Sequence, residues 1–216
     1  SWSQLSAETA DAEIARQVAH FPEQNLEITW TVYTQDQPAD LALRLENAGF
    51  KAEEPCSLMV IELEDLDPSA WTIDLAHVRR LTTPEEVNEV VRLENEVWGE
   101  DLSKLGEGLK YDLVHFPELL SMYAVWQDGR VVSAAWSFFL KPTSFVSLFG
   151  GSTLKEYRGR GFYRSLIAAR AREARERGFR HLYVEASPDS APILARHGFR
   201  RLSTATDYEW KPDNDS

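Results

Sequence analysis

The residues of this sequence best suited to chemistry by type and spacing run from Phe149 to Arg164: Phe-Gly-Gly-Ser-Thr-Leu-Lys-Glu-Tyr-Arg-Gly-Arg-Gly-Phe-Tyr-Arg. Gly159 and Gly161 let the backbone turn tightly and present successive N–H groups. A helical pattern begins at Phe162, so the turn delivers the chain to unsatisfied donors and the positive end of a helix dipole. Lys155, Arg158 and Arg160 add charge-assisted contacts. Such a turn suits a phosphate or pyrophosphate. The same residues would also make an ordinary basic surface turn.

The turn is not a P-loop, because no Gly-Lys-Ser/Thr follows at the required spacing. Nor is it a dinucleotide fingerprint, since the third glycine position is Arg164. Arg158-Gly159-Arg160-Gly161-Phe162-Tyr163 instead resembles the Arg/Gln-x-x-Gly-x-Gly/Ala motif of the GNAT acetyltransferase superfamily. Residues 153–157 precede it much as in that family. Glu185-Ala186-Ser187-Pro188, continuing through Ser190 to Gly198-Phe199, is similar to the family's second cofactor-side motif. Two motifs in the right order are more specific than either alone, and the resemblance covers about two-thirds of the chain.

The resemblance implies an α/β fold with a mixed sheet, whose central parallel strands splay apart to bind acetyl-CoA. It implies that the strand ending at Ser152, Thr153 and Leu154 pairs with the pantetheine arm. Backbone amides of Arg158, Gly159, Arg160, Gly161, Phe162, Tyr163 and Arg164 would hold the pyrophosphate. Ser187 stands where the family often has an asparagine that contacts the cofactor arm, with Ser190 beside it. An amine would attack the thioester directly, and a backbone N–H near Leu154 would stabilise the developing oxyanion. Two positions depart from the pattern. Tyr163 fills the last Gly/Ala position, implying a less close approach to the pyrophosphate. Leu194 aligns with the tyrosine that often protonates the leaving thiolate, which leaves that role to water, Ser187, Ser190 or another tyrosine.

Glu185, Ser187 and Glu96 are the candidate catalytic residues. Glu185 ends a strand and could take a proton from an ammonium; a solvated or ion-paired carboxylate is the plainer alternative. Glu94 and Glu96, with Trp98, end the helix that borders the acceptor cleft in the family, and a solvated helix face is the plainer reading of them. His181 and His197 could act as bases, though isolated histidines more often cap or pack, and no metal-ligand spacing such as His-Glu-x-x-His occurs. Arg164, Arg170, Arg172, Arg175, Arg177 and Arg180, interleaved with Glu173 and Glu176, suggest a solvent-facing helix with local ion pairs.

The elements that must position these residues follow from periodicity. Residues 7–20 are helical, 28–33 a strand, 38–49 a helix opened by Pro38 and closed by Gly49, and 57–63 a strand. Residues 73–81 read as a strand, and Thr83-Pro84 with Glu86 caps a helix to about Trp98. Residues 101–120 read as a helix with loops. Two apolar runs, 120–126 and 131–140, flank Asp128-Gly129, a hairpin signal. A strand over 145–149 ends in Gly150-Gly151, followed by a helix over 162–177, a strand over 181–185, a short helix and a strand over 201–210. Leu43 to Phe50 echoes Ile193 to Phe199, so the first four elements read as a partial copy of the last four.

Charge divides the chain. Residues 1–75 carry 15 acidic and 3 basic residues, the rest 20 of each, so the net charge of -12 belongs to the first third. We expect two domains: 1–72, an acidic partial GNAT-like unit without a cofactor motif, and 73–216, the acetyltransferase domain. A hydrophobic fraction of 43% excludes a disordered polyelectrolyte. The acidity argues against nucleic-acid binding, although the basic helix keeps that reading open. The single cysteine, Cys56, and the lack of long apolar runs suit a cytoplasmic protein with no membrane partner. The expected partner is a small-molecule or peptide amine, made preferentially cationic if the acidic unit faces the cleft, with a homodimer as a further possibility. A non-catalytic acyl-CoA-binding or sensing module is the rival function, supported by Leu194.

Overall fold

The computed structural model describes residues 5–20 and 27–212. In chain order the elements are α1 (Ala10–His20), β1 (Ile28–Tyr33), α2 (Leu41–Asn47), β2 (Lys51–Ala52), β3 (Cys56–Glu62), β4 (Val78–Leu81), α3 (Pro84–Trp98), α4 (Ser103–His115), β5 (Leu120–Gln127), β6 (Arg130–Phe139), β7 (Phe145–Thr153), α5 (Phe162–Glu176), β8 (His181–Ala186), α6 (Ala191–Arg196) and β9 (Arg200–Trp210). The β–α–α–β–β–β–α–β–α–β order expected after residue 73 is present.

The compact units do not follow the expected boundary at 72/73. One unit gathers the described residues of Ser1–Met59, Glu185–Ala195 and Arg201–Ser216; the other is Val60–Val184 with Arg196–Arg200. The physical reason is strand pairing. β9 runs antiparallel to β1 through six residue pairs, from Ile28–Trp210 to Tyr33–Ala205, and also takes β2. The last strand therefore counts with the first elements. Apolar residues of α1, β1, α2 and β9 close a core around Ile14, Ile28, Leu41, Leu45, Phe50 and Tyr208.

The larger unit is built on β4-β5-β6-β7-β8. Its core gathers Leu81, Val87, Val90 and Leu93 with the inward residues of β5 and β6, Leu154 and Leu166. Thr83 and Glu86 start α3 as expected: the Glu86 carboxylate accepts the Thr82 and Thr83 N–H groups at 2.9 and 3.3 Å. Asp128 and Gly129, at φ 51° and 80°, make the tight turn between β5 and β6.

Two expected strands differ. The strand over 73–81 shrinks to Val78–Leu81, because Pro68–Trp71 forms a 3-10 turn and the Ile73 carbonyl is taken by Arg172 at 2.6 Å. The strand over 145–149 continues through both glycines to Thr153. A bulge admits them: Ala134 faces Ser152 while Ala135 faces Gly150, so the register shifts by one residue.

The arginine-rich helix is not solvent-facing. Nine of its residues, from Ser165 to Ala174, are buried. The Arg172 guanidinium donates to the Ala70 and Ile73 carbonyls, and Arg175 lies 3.8 Å over the Trp71 ring. Glu173 accepts from Ser121 Oγ at 2.7 Å and Tyr123 Oη at 2.9 Å, and pairs with Arg80 and Arg177. The alanines of α5 let it sit between the sheet and residues 68–73, and the arginines close that second contact.

Candidate active site

The site starts from the register of β7. Phe145, Val146 and Ser147 pair in parallel with His181, Leu182 and Tyr183, and there the pairing ends, while β7 runs on to Thr153. Past that point β7 is held from one side, by β6. The Leu154 N–H donates to the Val132 carbonyl at 3.0 Å, and Ala134 faces Ser152. Antiparallel alternation then turns the Thr153 N–H away from β6. The Leu154 N–H is thus spent on the ladder, and the outward N–H nearest to it on β7 is that of Thr153. Ser133 Oγ fixes this end, bonding the Ser152 carbonyl at 2.9 Å and Thr153 Oγ1 at 2.8 Å.

The bulge depends on glycine. Gly151 has φ 88°, and a Cβ there would lie 2.6 Å from the Tyr163 ring. Tyr163 is therefore turned inward across Gly151, where burial raises its pKa. The bulk expected to hinder a ligand at the turn is directed into the protein instead.

A short 3-10 turn, Lys155–Tyr157, carries the chain from β7 to the glycine turn. Gly159 and Gly161 have φ 76° and 83°, and nothing lies within 4 Å of a Cβ built on either. Arg158, Gly159, Arg160 and Gly161 are all exposed. The Arg158 Nε donates to the Thr153 carbonyl at 3.1 Å, and the Arg160 guanidinium lies 4.8 Å over the Tyr157 ring. Phe162, Tyr163 and Arg164 open α5, and the first N–H groups of a helix have no intrahelical acceptor. Arg164 does not point its charge at this turn alone: its guanidinium donates to Ser69 Oγ.

The remaining candidates are placed as follows. Glu96 is exposed and paired with Arg130 at 2.7 Å. Glu185 is exposed and accepts the Tyr33 hydroxyl at 2.9 Å, within the smaller unit. Ser187 and Ser190 belong to that unit too, and their hydroxyls bond each other at 3.1 Å to close the turn before α6. Leu194 is fully buried.

Sequence reasoning passed over Glu94 in favour of Glu96. Glu94 is buried, and its Oε2 accepts from Ser152 Oγ at 2.7 Å and from Trp98 Nε1–H at 2.9 Å. Desolvation raises its pKa above the usual carboxylate range, and the two hydrogen bonds only partly oppose that. The signal was available: Val87, Val90, Leu93, Glu94 and Val97 share one helical stripe.

The profile of the Acetyltransferase (GNAT) family matches residues 87–199. The chain belongs to that family. The match runs from Val87 within α3 to Phe199 before the last strand, and includes the bulged strand, the glycine turn and α5. Solved structures share the GNAT fold. A GCN5-related N-acetyltransferase from Kribbella flavida is 19% identical, with a TM-score of 0.69 over 96% of this chain and 77% of its own. A tandem GNAT protein from the clavulanic acid biosynthesis pathway is 15% identical, with a TM-score of 0.65 over 93% and 69%. A "predicted acetyltransferase with acetyl-CoA" from Clostridium acetobutylicum is 16% identical, with a TM-score of 0.50 over 58% and 90%. No curated protein matches the chain significantly. Membership of the GNAT family supports acyl transfer and acyl-CoA binding in general. Among the described residues, no helix is long and apolar enough to cross a membrane.

Proposed function

We propose that this protein transfers an acetyl group from acetyl-CoA to a primary amine by direct attack. The observation that carries the reading is the end of the β7–β8 register at Ser147 and Tyr183, followed by a bulged edge that leads into an open glycine turn. The residues present fit acyl-CoA. An extended amide-containing arm matches the free edge of β7, and a pyrophosphate matches the amides from Arg158 to Arg164.

Acyl-CoA, when bound, supplies a thioester carbonyl open to attack by nitrogen. The Thr153 N–H, directed away from β6, donates to the developing charge on that carbonyl oxygen. Ser133 and Arg158 hold the Thr153 peptide in place. Because the donors are fixed before the ligand arrives, little reorganisation is needed during reaction.

A second reading, an acyl-CoA-binding module without transfer, has one observation in its favour. Leu194 stands where the family often has a proton-donating tyrosine, and it is buried. Thiolate is a competent leaving group, so the loss of that donor is compatible with turnover. Release of CoA thiol from acetyl-CoA across an amine panel decides between the two. Amine-stimulated release supports the transferase, and tight binding without release supports the module.

A further inference from the structure

β6 buries two serines between apolar neighbours, and they differ in what they bond. Ser137 Oγ has no hydrogen-bond partner among the described residues. Ser133, fully buried, has two: its Oγ donates to the Ser152 carbonyl at 2.9 Å and lies 2.8 Å from Thr153 Oγ1. A serine hydroxyl carries one proton, and a carbonyl oxygen can only accept. Ser133 therefore spends its proton on Ser152, and the second contact is made by the proton of Thr153. The two hydroxyls point one way, from Thr153 to Ser133 and from Ser133 to the Ser152 carbonyl.

That carbonyl shares its peptide group with the Thr153 N–H, the donor turned away from β6. A hydrogen bond accepted at one end of a peptide group makes the N–H at the other end a stronger donor, because the bonds of a chain polarise one another. The burial of Ser133 keeps water from competing for its hydroxyl. The chain of bonds thus leaves from the Thr153 side chain and returns to the N–H of the same residue. Packing does not call for it. Burying a hydroxyl is a cost that alanine avoids, and alanine fills the next two positions of β6, 134 and 135.

We propose that the Thr153 and Ser133 hydroxyls form a relay of positioning groups that strengthens the Thr153 N–H as donor to the acyl oxygen. The proposal rests on the transferase reading. No proton leaves either hydroxyl. As the amine nitrogen bonds the acyl carbon, negative charge grows on the acyl oxygen and the hydrogen bonds of the relay tighten together. As the C–S bond breaks, that charge leaves with the sulfur and they relax. The nitrogen loses one proton and the thiolate gains one, both exchanged with solvent, so amine plus thioester gives amide plus thiol. Neither hydroxyl belongs to the glycine turn, so the relay acts on rate and leaves CoA affinity to that turn.

The test uses the full chain, acetyl-CoA and the most reactive of n-butylamine, phenethylamine and spermidine. CoA affinity is measured by calorimetry, and the Thr153 amide is followed by NMR. Thr153→Val keeps the shape and loses the hydroxyl; it is expected to lower kcat about fivefold, with acetyl-CoA KM and CoA affinity unchanged. Thr153→Ser restores the donor and is expected to recover most of that loss. Ser133→Ala is expected to lower kcat about tenfold. In ligand-free protein it should also move the Thr153 amide nitrogen signal upfield, while those of Gly159 and Gly161 stay in place. Adding Thr153→Val to Ser133→Ala should cost nothing more, since one relay can be broken only once. Wild-type kcat in Thr153→Val, additive losses in the double variant, or an unmoved Thr153 signal in Ser133→Ala would overturn the proposal. Should Ser133→Ala fail to fold, equal losses of kcat in Thr153→Val and Thr153→Ser overturn it instead. A wild-type protein that binds CoA but acetylates none of the three amines sinks the transferase reading, and the relay's role with it. Wild-type turnover with an indifferent Thr153→Val sinks the relay alone.

Discussion

The Arg170 Nη1 lies 3.3 Å from the Phe149 carbonyl oxygen, and equally 3.3 Å from that of Trp136. One guanidinium on α5 thus ties β6 to β7 at the edge of the bulge, while its Nε holds the Leu166 carbonyl at 3.1 Å. Arg170 is only 2% exposed, and burial pulls its pKa down to about 10. Its hydrogen bonds to backbone oxygens compensate part of that desolvation.

Arg170→Met is expected to lose about 3 kcal/mol of stability, because it leaves strand carbonyls unpaired in a buried setting. Urea unfolding measures the loss. In the surviving folded fraction, acetyl transfer should fall further than CoA affinity, since the bulge precedes Thr153 while the glycine turn lies beyond it. Equal losses in the two would mean that Arg170 supports the whole unit and not the bulged strand.

Gly151 and Tyr163 should behave as a coupled pair. Gly151→Ala places a methyl against the Tyr163 ring at a backbone φ of 88°, and should cost about 2 kcal/mol. Tyr163→Ala removes the ring, so the double variant should be less destabilised than the two single losses predict together. Thermal or urea unfolding of the four proteins completes the cycle. Strict additivity would remove the ring contact as the reason for glycine here.

The glycine turn should respond to charge and backbone together. Gly161→Glu puts a carboxylate at the helix start and a side chain on a backbone with φ 83°. CoA affinity should drop at least about tenfold, the equivalent of about 1.4 kcal/mol. Raising the salt concentration should weaken wild-type binding more steeply than that of Arg158→Ala/Arg160→Ala, because the variant lacks two positive charges of the turn. Calorimetric titration at several salt concentrations reads both effects.

Glu94 makes a pH-dependent contribution whose sign is fixed by its raised pKa. A carboxyl group that holds its proton more tightly in the folded state favours folding below its unfolded pKa. That contribution disappears as pH rises through the folded value. Glu94→Gln should therefore gain stability relative to wild type between mildly acidic and neutral pH. Unfolding midpoints across that range check it; a constant difference would mean that Glu94 titrates normally.

The glycine turn and the helix after it were legible because both rest on local chemistry: two glycines, flanking arginines and a helical period. The Asp128-Gly129 hairpin was legible for the same reason. The bulge was not, since Gly150-Gly151 read as the end of a strand, and only the facing register at Ala134 and Ala135 carries β7 past them. Arg172 and Arg175 read as solvent-facing because their partners are the Ala70 and Ile73 carbonyls and the Trp71 ring, none of which charge patterning can reveal. Glu94 and Glu96 differ by two positions on one helix, enough to bury one and leave the other paired with Arg130 at the surface. Composition weighed them alike; the apolar stripe through Val90 and Val97 would have separated them.

The pairing of β1 with β9 has a consequence for how the protein is made. Thr31 bonds Asp207 across 176 positions of sequence. During synthesis β1 is made long before β9 and waits for that strand. Until then its edge groups face water or a chaperone, and the apolar side chains around Ile28 lack the cover of Tyr208. Assembly of the smaller unit therefore cannot precede the synthesis of β9 and is limited by a long loop closure.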